Sequence, residues 1–286
     1  MTKCRKKHIT LLVLLSLFVI IVLWALWGNF TVKSTEITIK DSELPQAFSG
    51  FKIAHVSDLH NAEFGDNNAK LIKILKEQKP DIIAITGYLV DSDHTDIEIS
   101  IEFCRQAMEI APCYYVPGNH EAWLGDRFNE LENELLDIGV NVLRNESVSL
   151  SNREDTAWIM GVDDPDFVER SSMFDLSAGI ISTEIQNTNA GEGYKILLSH
   201  RPEVFETYVQ EDINLVLSGH AHGGQFRIPF VGGLVAPNQG FFPEYDSGLY
   251  CKENTKMVVS RGIGNSIIPV RINNRPELVF VTLQNL

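Results

Sequence analysis

The residues best equipped for chemistry come in short clusters. "SDLH" holds Asp58 and His60, "TGYLVD" holds Tyr88 and Asp91, "PGNHE" lines up Asn119, His120 and Glu121, "LLSH" ends on His200, and "SGHAHGGQ" sets His220 and His222 among glycines. Imidazole, carboxylate and amide together form the mixed nitrogen and oxygen set that suits zinc, manganese, iron or cobalt, with no thiolate involved. Such a set could grip two cations about 3.5–4 Å apart, with an attacking water between them. In "DLH" and "HAH" the polar residues are separated by one, and extended backbone would turn both side chains of a pair to the same side. The glycines around His220 and His222 would let backbone and substrate come close. A lone HxH pair is more simply a hydrogen-bonded loop histidine; clusters at five places in one chain argue against coincidence. His8, His55 and His94 stand apart and suit membrane-flank, packing or surface roles.

Each cluster follows a short apolar run. "FKIAHVSD", "DIIAITG", "CYYVPGN", "YKILLSH" and "INLVLSGH" have the character of buried strands, and "TAWIMGV", "KMVVSRG" and "ELVFVTL" extend the series. Between the first two, "DNNAKLIKILKEQKP" puts Leu71, Ile74 and Leu75 on one helical face with Pro80 beyond its end, and Phe128, Leu131 and Leu135 repeat that pattern. The alternation predicts an α/β layered domain. Ligands of open α/β sheets bind past the carboxyl ends of the strands, so five loops could deliver their side chains to one place.

The chain of 286 residues has room for one large core, and no repeat or Pro/Ser-rich linker divides it. Its N-terminus differs. Residues 9–27 carry only Thr10 and Ser16 as polar side chains, enough for a helix matching the bilayer's hydrocarbon thickness. The expected organisation is a basic cytoplasmic N-terminus (1–8), a single transmembrane anchor (9–27), a connecting segment (28–50) and a domain (51–286) facing outward. Lys3, Arg5, Lys6 and Lys7 precede the span and set that orientation. The net charge of −14 repels phosphate backbones and argues against nucleic acid as a partner. Cys104, Cys113 and Cys251 are too few for a disulfide framework and are expected to be small buried apolar groups.

The ordered clusters resemble the calcineurin-like metallophosphoesterases, whose pattern runs D-x-H, G-D-x-x-D/E, G-N-H-D/E, a lone H, then G-H-x-H. The resemblance spans residues 51–286, and "GHAHGGQFRIP" with "VSRGIGNSIIPVRINNRPEL" is similar to its membrane-associated bacterial phosphodiesterase branch. It implies a layered β-sandwich flanked by helices and two divalent metal ions (manganese, iron or zinc), one served by Asp58, His60 and His222, the other by Asn119, His200 and His220. His120 would steady phosphoryl oxygens or protonate a leaving group; Glu121, next in the chain, is either a carboxylate that orients His120 or a surface group. The implied substrate is a phosphodiester, phosphomonoester or pyrophosphate, lipid-borne near the membrane; oligomeric state stays open. The family has a metal-bridging aspartate where this chain has Tyr88, which leaves a catalytically silent module that binds phosphorylated ligands as the alternative. Phe226, Phe230, Phe241 and Phe242 are candidates for an apolar lip, and Arg227, Arg261 and Arg271 for phosphate contacts.

Overall fold

A computed structural model describes residues 3–168, 176–265 and 268–286. The side chains of Lys3, Arg5, Lys6 and Lys7, on which the expected orientation rests, lie outside the described ones. The strands run β1 (Lys33–Asp41), β2 (Lys52–Val56), β3 (Ile82–Thr86), β4 (Cys113–Val116), β5 (Asn141–Val142), β6 (Glu146–Asn152), β7 (Asp155–Gly161) and β8 (Lys195–Leu198). After them come β9 (Leu215–Ser218), the short pairs β10 (Arg227–Ile228) with β11 (Gly232–Gly233) and β12 (Val235–Ala236) with β13 (Gly240–Phe241), then β14 (Gly248–Lys252), β15 (Thr255–Val259) and β16 (Glu277–Asn285). The helices are α1 (Lys3–Phe30), α2 (Ala69–Gln78), α3 (Ile97–Met108), α4 (Asn119–Trp123), α5 (Arg127–Asp137), α6 (Ser177–Asn187) and α7 (Phe205–Gln210).

Two six-stranded sheets form, ordered β1-β16-β2-β3-β4-β5 and β14-β15-β9-β8-β7-β6. The period of two in each strand splits the core into three layers. Ile53, Ile82 and Ala84 of one sheet meet Ile159, Leu198 and Leu217 of the other in the buried space between them. Their strand neighbours Ala54, Ile83 and Ile85 face outward onto Leu71 and Leu75 of α2, Ile101 of α3 and Leu131 of α5. On the far side Met160, Leu197 and Val216 meet Ile181 of α6 and Tyr208 of α7. The result is the expected β-sandwich flanked by helices. The parallel core of each sheet, β2-β3-β4 and β7-β8-β9, ends on one common rim.

Residues 28–50 do more than connect. Lys33 to Asp41 pair in parallel with β16 in unbroken register, from Lys33↔Glu277 to Asp41↔Asn285. Ile39, Leu44 and Phe48 enter the core between the sheets. Alternation of Ile37 and Ile39 with polar residues is the signature of this edge strand. Ahead of it, an 18-residue window of the stretch His8–Phe30 in α1 reaches a mean hydropathy of 3.0 and none of that window is buried, unlike a core helix; the helix is long and apolar enough to cross a membrane. Asn29 ties its end to the domain: the side chain accepts from Arg271 N (2.8 Å) and donates to Arg271 O (2.9 Å). Cys104 and Cys113 are buried as expected, whereas Cys251 is exposed on the edge strand β14, where alternate side chains face water.

His55 is fully buried with Nε2 2.8 Å from Thr86 Oγ1, the packing role its sequence position suggested. Burial pushes its pKa down to about 3. An unfolded chain takes up this proton near pH 6.5, while the native chain refuses it until about pH 3. The stability it contributes is therefore complete above pH 6.5 and drains away as pH falls between those values, by about 1.4 kcal/mol per pH unit for one proton. In urea unfolding between pH 6.5 and 4.5, His55→Asn should lose stability less steeply than the wild type by that one-proton slope; equal slopes would rule this out.

Candidate metal centre

The loops leaving the strands on the common rim are laced together by their own backbones. Asp58 N donates to Gly87 O (3.1 Å), His60 N to Tyr88 O (2.8 Å), and Ile263 N to Ser57 O (3.1 Å). This corrects the expectation of extended pairs. Asp58 (φ 54°), His60 (φ 47°), His220 (φ 66°) and His222 (φ 47°) are all left-handed, as is Tyr88 (φ 56°). Non-glycine residues adopt this region rarely and at a cost, so the surrounding ladder must hold them there. Gly219 shows how tightly the loops close: a Cβ there would stand 1.9 Å from Ser57 Oγ and 2.6 Å from Asp58 Oδ2.

Asp58, His60 and His222 offer ligand atoms that all lie within 4.8 Å of one another. Asp58 Oδ1 accepts from His220 N (3.1 Å), but its Oδ2 is buried with no partner. His60 Nε2 faces His222 Nε2 at 3.3 Å. Burial drives the Asp58 pKa up to about 7 and those of His60 and His222 down, so the pocket suppresses charge on its own groups. The Asp58 carboxylate, its Oδ1 3.6 Å from His222 Nε2, together with two facing imidazole nitrogens fits a divalent cation, which would restore the charge balance. Asp91 supports this set from behind: its Oδ2 lies 3.2 Å from His60 Nδ1, and that hydrogen bond is the chief cause holding its pKa below the usual carboxylate range. The carboxylate fixes the ring and leaves Nε2 facing the site. Asp91 Oδ1 meanwhile accepts from Asp93 N (2.9 Å) and His94 N (3.2 Å), fixing its own loop.

The second expected set, Asn119, His200 and His220, surrounds Tyr88. Tyr88 is 2% exposed, and its Oη donates to Asn119 Oδ1 (2.7 Å) and lies 2.9 Å from His220 Nδ1. His200 Nδ1 is 2.8 Å from Thr86 O, and its Nε2 is buried without a partner.

His120 lies in the first turn of α4 beside these residues, with its ring centroid 4.8 Å from His60 and 4.4 Å from Tyr88. Its Nδ1 accepts from Ser92 N (3.1 Å), which puts the ring proton on Nε2. Burial, with His60 second, pulls its pKa down to about 4. That shift favours the uncharged ring, which offers an N–H donor at Nε2. Glu121 does not orient it. Fully buried, Glu121 accepts from Gly118 N (2.8 Å), Tyr88 N (3.0 Å) and Val90 N (3.3 Å), so it splices the loop after β3 to the loop after β4.

Of the expected phosphate contacts, Arg271 is unsuited. It is 1% exposed, donates to Asn265 Oδ1 (3.0 Å) and Arg261 O (2.7 Å), and sits 3.5 Å from His222 Nδ1. Arg227 pairs with Asp246 (3.1 Å), and Arg261 lies 3.9 Å from Glu277. Sequence reasoning missed Arg201 and Ser92. Arg201 is 2% exposed and clamps Asp164 through Nε (2.6 Å) and Nη2 (2.7 Å). Its place directly after His200 was the available signal, since a neighbour of a site residue at a strand end reaches the same rim.

A family model described as calcineurin-like phosphoesterase matches residues 51–224. The chain is similar to the uncharacterized metallophosphoesterase YkuE of Bacillus subtilis, at 30% identity over 89% of this chain and 86% of that protein. It is 29% identical to the phosphodiesterase YaeI of Escherichia coli, over 85% and 84%. A transmembrane protein with metallophosphoesterase domain from Danio rerio matches at 30% identity over 88% of this chain but 57% of its own length. Among solved structures, TT1561 of Thermus thermophilus shares the fold, with a TM-score of 0.50 at 14% identity over 75% of this chain and 90% of that one.

Proposed function

Because the chain belongs to the calcineurin-like phosphoesterase family, we propose that it is a membrane-anchored phosphodiester hydrolase acting on a lipid-borne substrate. The observation that carries this reading is the buried convergence of the Asp58 carboxylate with the His60 and His222 imidazoles, whose ligand atoms all lie within 4.8 Å of one another. A divalent cation bound there supplies Lewis-acid polarisation of a phosphoryl group and activation of a water. The residues do the rest. Asp91 holds the His60 ring, and the backbone N–H of His220 holds the Asp58 carboxylate, so both ligands are set before a cation arrives. The Nε2–H of His120 can donate a hydrogen bond to a phosphoryl oxygen and steady the charge that develops there. Ser92 keeps that proton on the outward nitrogen.

The lipid-borne substrate is supported by what surrounds the site. Beyond His222 the loops expose Phe230 (108%), Phe241 (75%) and Phe242 (60%), with Val231 beside them, whereas Phe226 is half-buried. Exposed apolar residues gathered in one region mark membrane or partner contacts. At the base of α1 a cavity of about 210 Å³ is lined by Trp24, Trp27, Lys33, Arg261, Arg271 and Arg275. Arg275 stacks on Trp27 with its guanidinium 4.4 Å from the ring centroid. Aromatic and cationic side chains together suit the headgroup level of a bilayer. The relatives agree with both halves of the proposal: YaeI is named a phosphodiesterase, and the Danio rerio relative is a transmembrane protein by name.

The test is hydrolysis of a chromogenic phosphodiester and of a phospholipid in mixed micelles, by chelator-stripped protein with and without added Mn²⁺. Metal-dependent turnover of both is expected, faster for the lipid. Absence of metal-dependent turnover on any phosphoester would discard the hydrolase and leave the silent binding module.

A further inference from the structure

We infer that the Tyr88 hydroxyl takes the place of the second cation, so that this chain holds a single divalent ion, in the Asp58, His60 and His222 set. The inference rests on the cation site proposed above and sharpens it. Tyr88 Oη stands 2.7 Å from Asn119 Oδ1 and 2.9 Å from His220 Nδ1. A first-row cation would need to lie about 2.0–2.2 Å from each of these ligand atoms, in the gap that the phenol oxygen fills.

Both ligand atoms are also spent as hydrogen-bond partners. Arg201 has only donors, and its Nη1 is 3.5 Å from His220 Nε2. Nε2 is then the acceptor, Nδ1 carries the ring hydrogen and donates to Oη, and the Oη hydrogen goes to Asn119 Oδ1. Asn238 Oδ1, 3.4 Å from the same Nε2, is reconciled by turning its amide over. His200 Nε2 is the one ligand atom of this set without a partner, and a single neutral imidazole is no cation site.

The phenol is not free to leave. Its backbone N–H is held by Glu121 Oε2 (3.0 Å), and its ring lies 4.5 Å from His60, 4.4 Å from His120 and 4.0 Å from His200 between centroids. Where the family's bridging aspartate would bring negative charge, Tyr88 brings a neutral hydroxyl. Asn119, His200 and His220 are neutral as well, so no charged group of that set offsets a second divalent ion.

Full-length protein in detergent, stripped with chelator and dialysed against Mn²⁺, should retain about one ion per chain by elemental analysis. Its electron paramagnetic resonance spectrum should show isolated Mn²⁺ without exchange coupling. Tyr88→Asp should raise the content to about two ions per chain and introduce the coupled signal, while Tyr88→Phe, which supplies neither a ligand atom nor a charge, should stay near one. Two ions per wild-type chain would overturn the inference and leave the first site standing; none in the wild type would overturn both. Should Tyr88→Asp fail to fold, the wild-type stoichiometry and spectrum decide alone.

Discussion

Asp58→Asn is expected to reduce metal-dependent phosphodiester turnover by more than about 100-fold, with little change in thermal stability. Groups that merely orient a metal ligand are worth about 10–100-fold, which sets a floor for the loss of a ligand itself. The substitution keeps the shape of the side chain, and the amide oxygen can still accept from His220 N where Oδ1 now does at 3.1 Å. What disappears is the charge of Asp58, the only carboxylate in the Asp58, His60 and His222 set. Cation affinity should fall in parallel, measured by Mn²⁺ titration. An Asp58→Asn variant that binds Mn²⁺ as tightly as the wild type and turns over at a similar rate would remove Asp58 from the site.

Arg201→Met is expected to destabilise the protein by about 3–5 kcal/mol, the usual cost of leaving one half of a buried ion pair uncompensated. Asp164 is 1% exposed and receives both Nε and Nη2 of Arg201. Asp166 Oδ1 (3.1 Å) and Glu203 Oε1 (3.5 Å) lean on the same guanidinium, so three carboxylates lose their common counter-charge. For a domain of this size that corresponds to a fall in Tm of roughly 6–20 °C. Adding Asp164→Leu should restore part of the loss, because an apolar pair of similar volume often replaces a buried ion pair without penalty. A single variant as stable as the wild type, or a double variant less stable than the single, would refute this account.

Much of the architecture was legible because strand and helix periods are local. The five apolar runs became β2, β3, β4, β8 and β9, and every cluster after them reached the common rim. The Phe128, Leu131 and Leu135 stripe is buried as its spacing indicated. The candidate site was legible as membership. The clusters named Asp58, His60 and His222, and chemistry alone indicated a cation. How they meet was not legible, since the left-handed backbone at Asp58, His60, His220 and His222 depends on bonds between loops far apart in sequence. The same holds for Glu121, where "NHE" cannot reveal three backbone donors converging on one carboxylate.

The amino-acid sequence by itself determined which side chains stand at strand ends, because alternation and turn residues act over a few positions, and it marked the apolar helix that precedes the domain. Only the tertiary structure decided what those side chains do to one another: that the Tyr88 hydroxyl lies between Asn119 and His220, that Arg271 is sealed beside His222, and that Phe230, Phe241 and Phe242 face outward. The physical reason is range. Periodicity and propensity are properties of neighbours along the chain, whereas a ligand distance, a desolvated charge or an exposed ring is set by groups brought together only when two sheets close on a shared core.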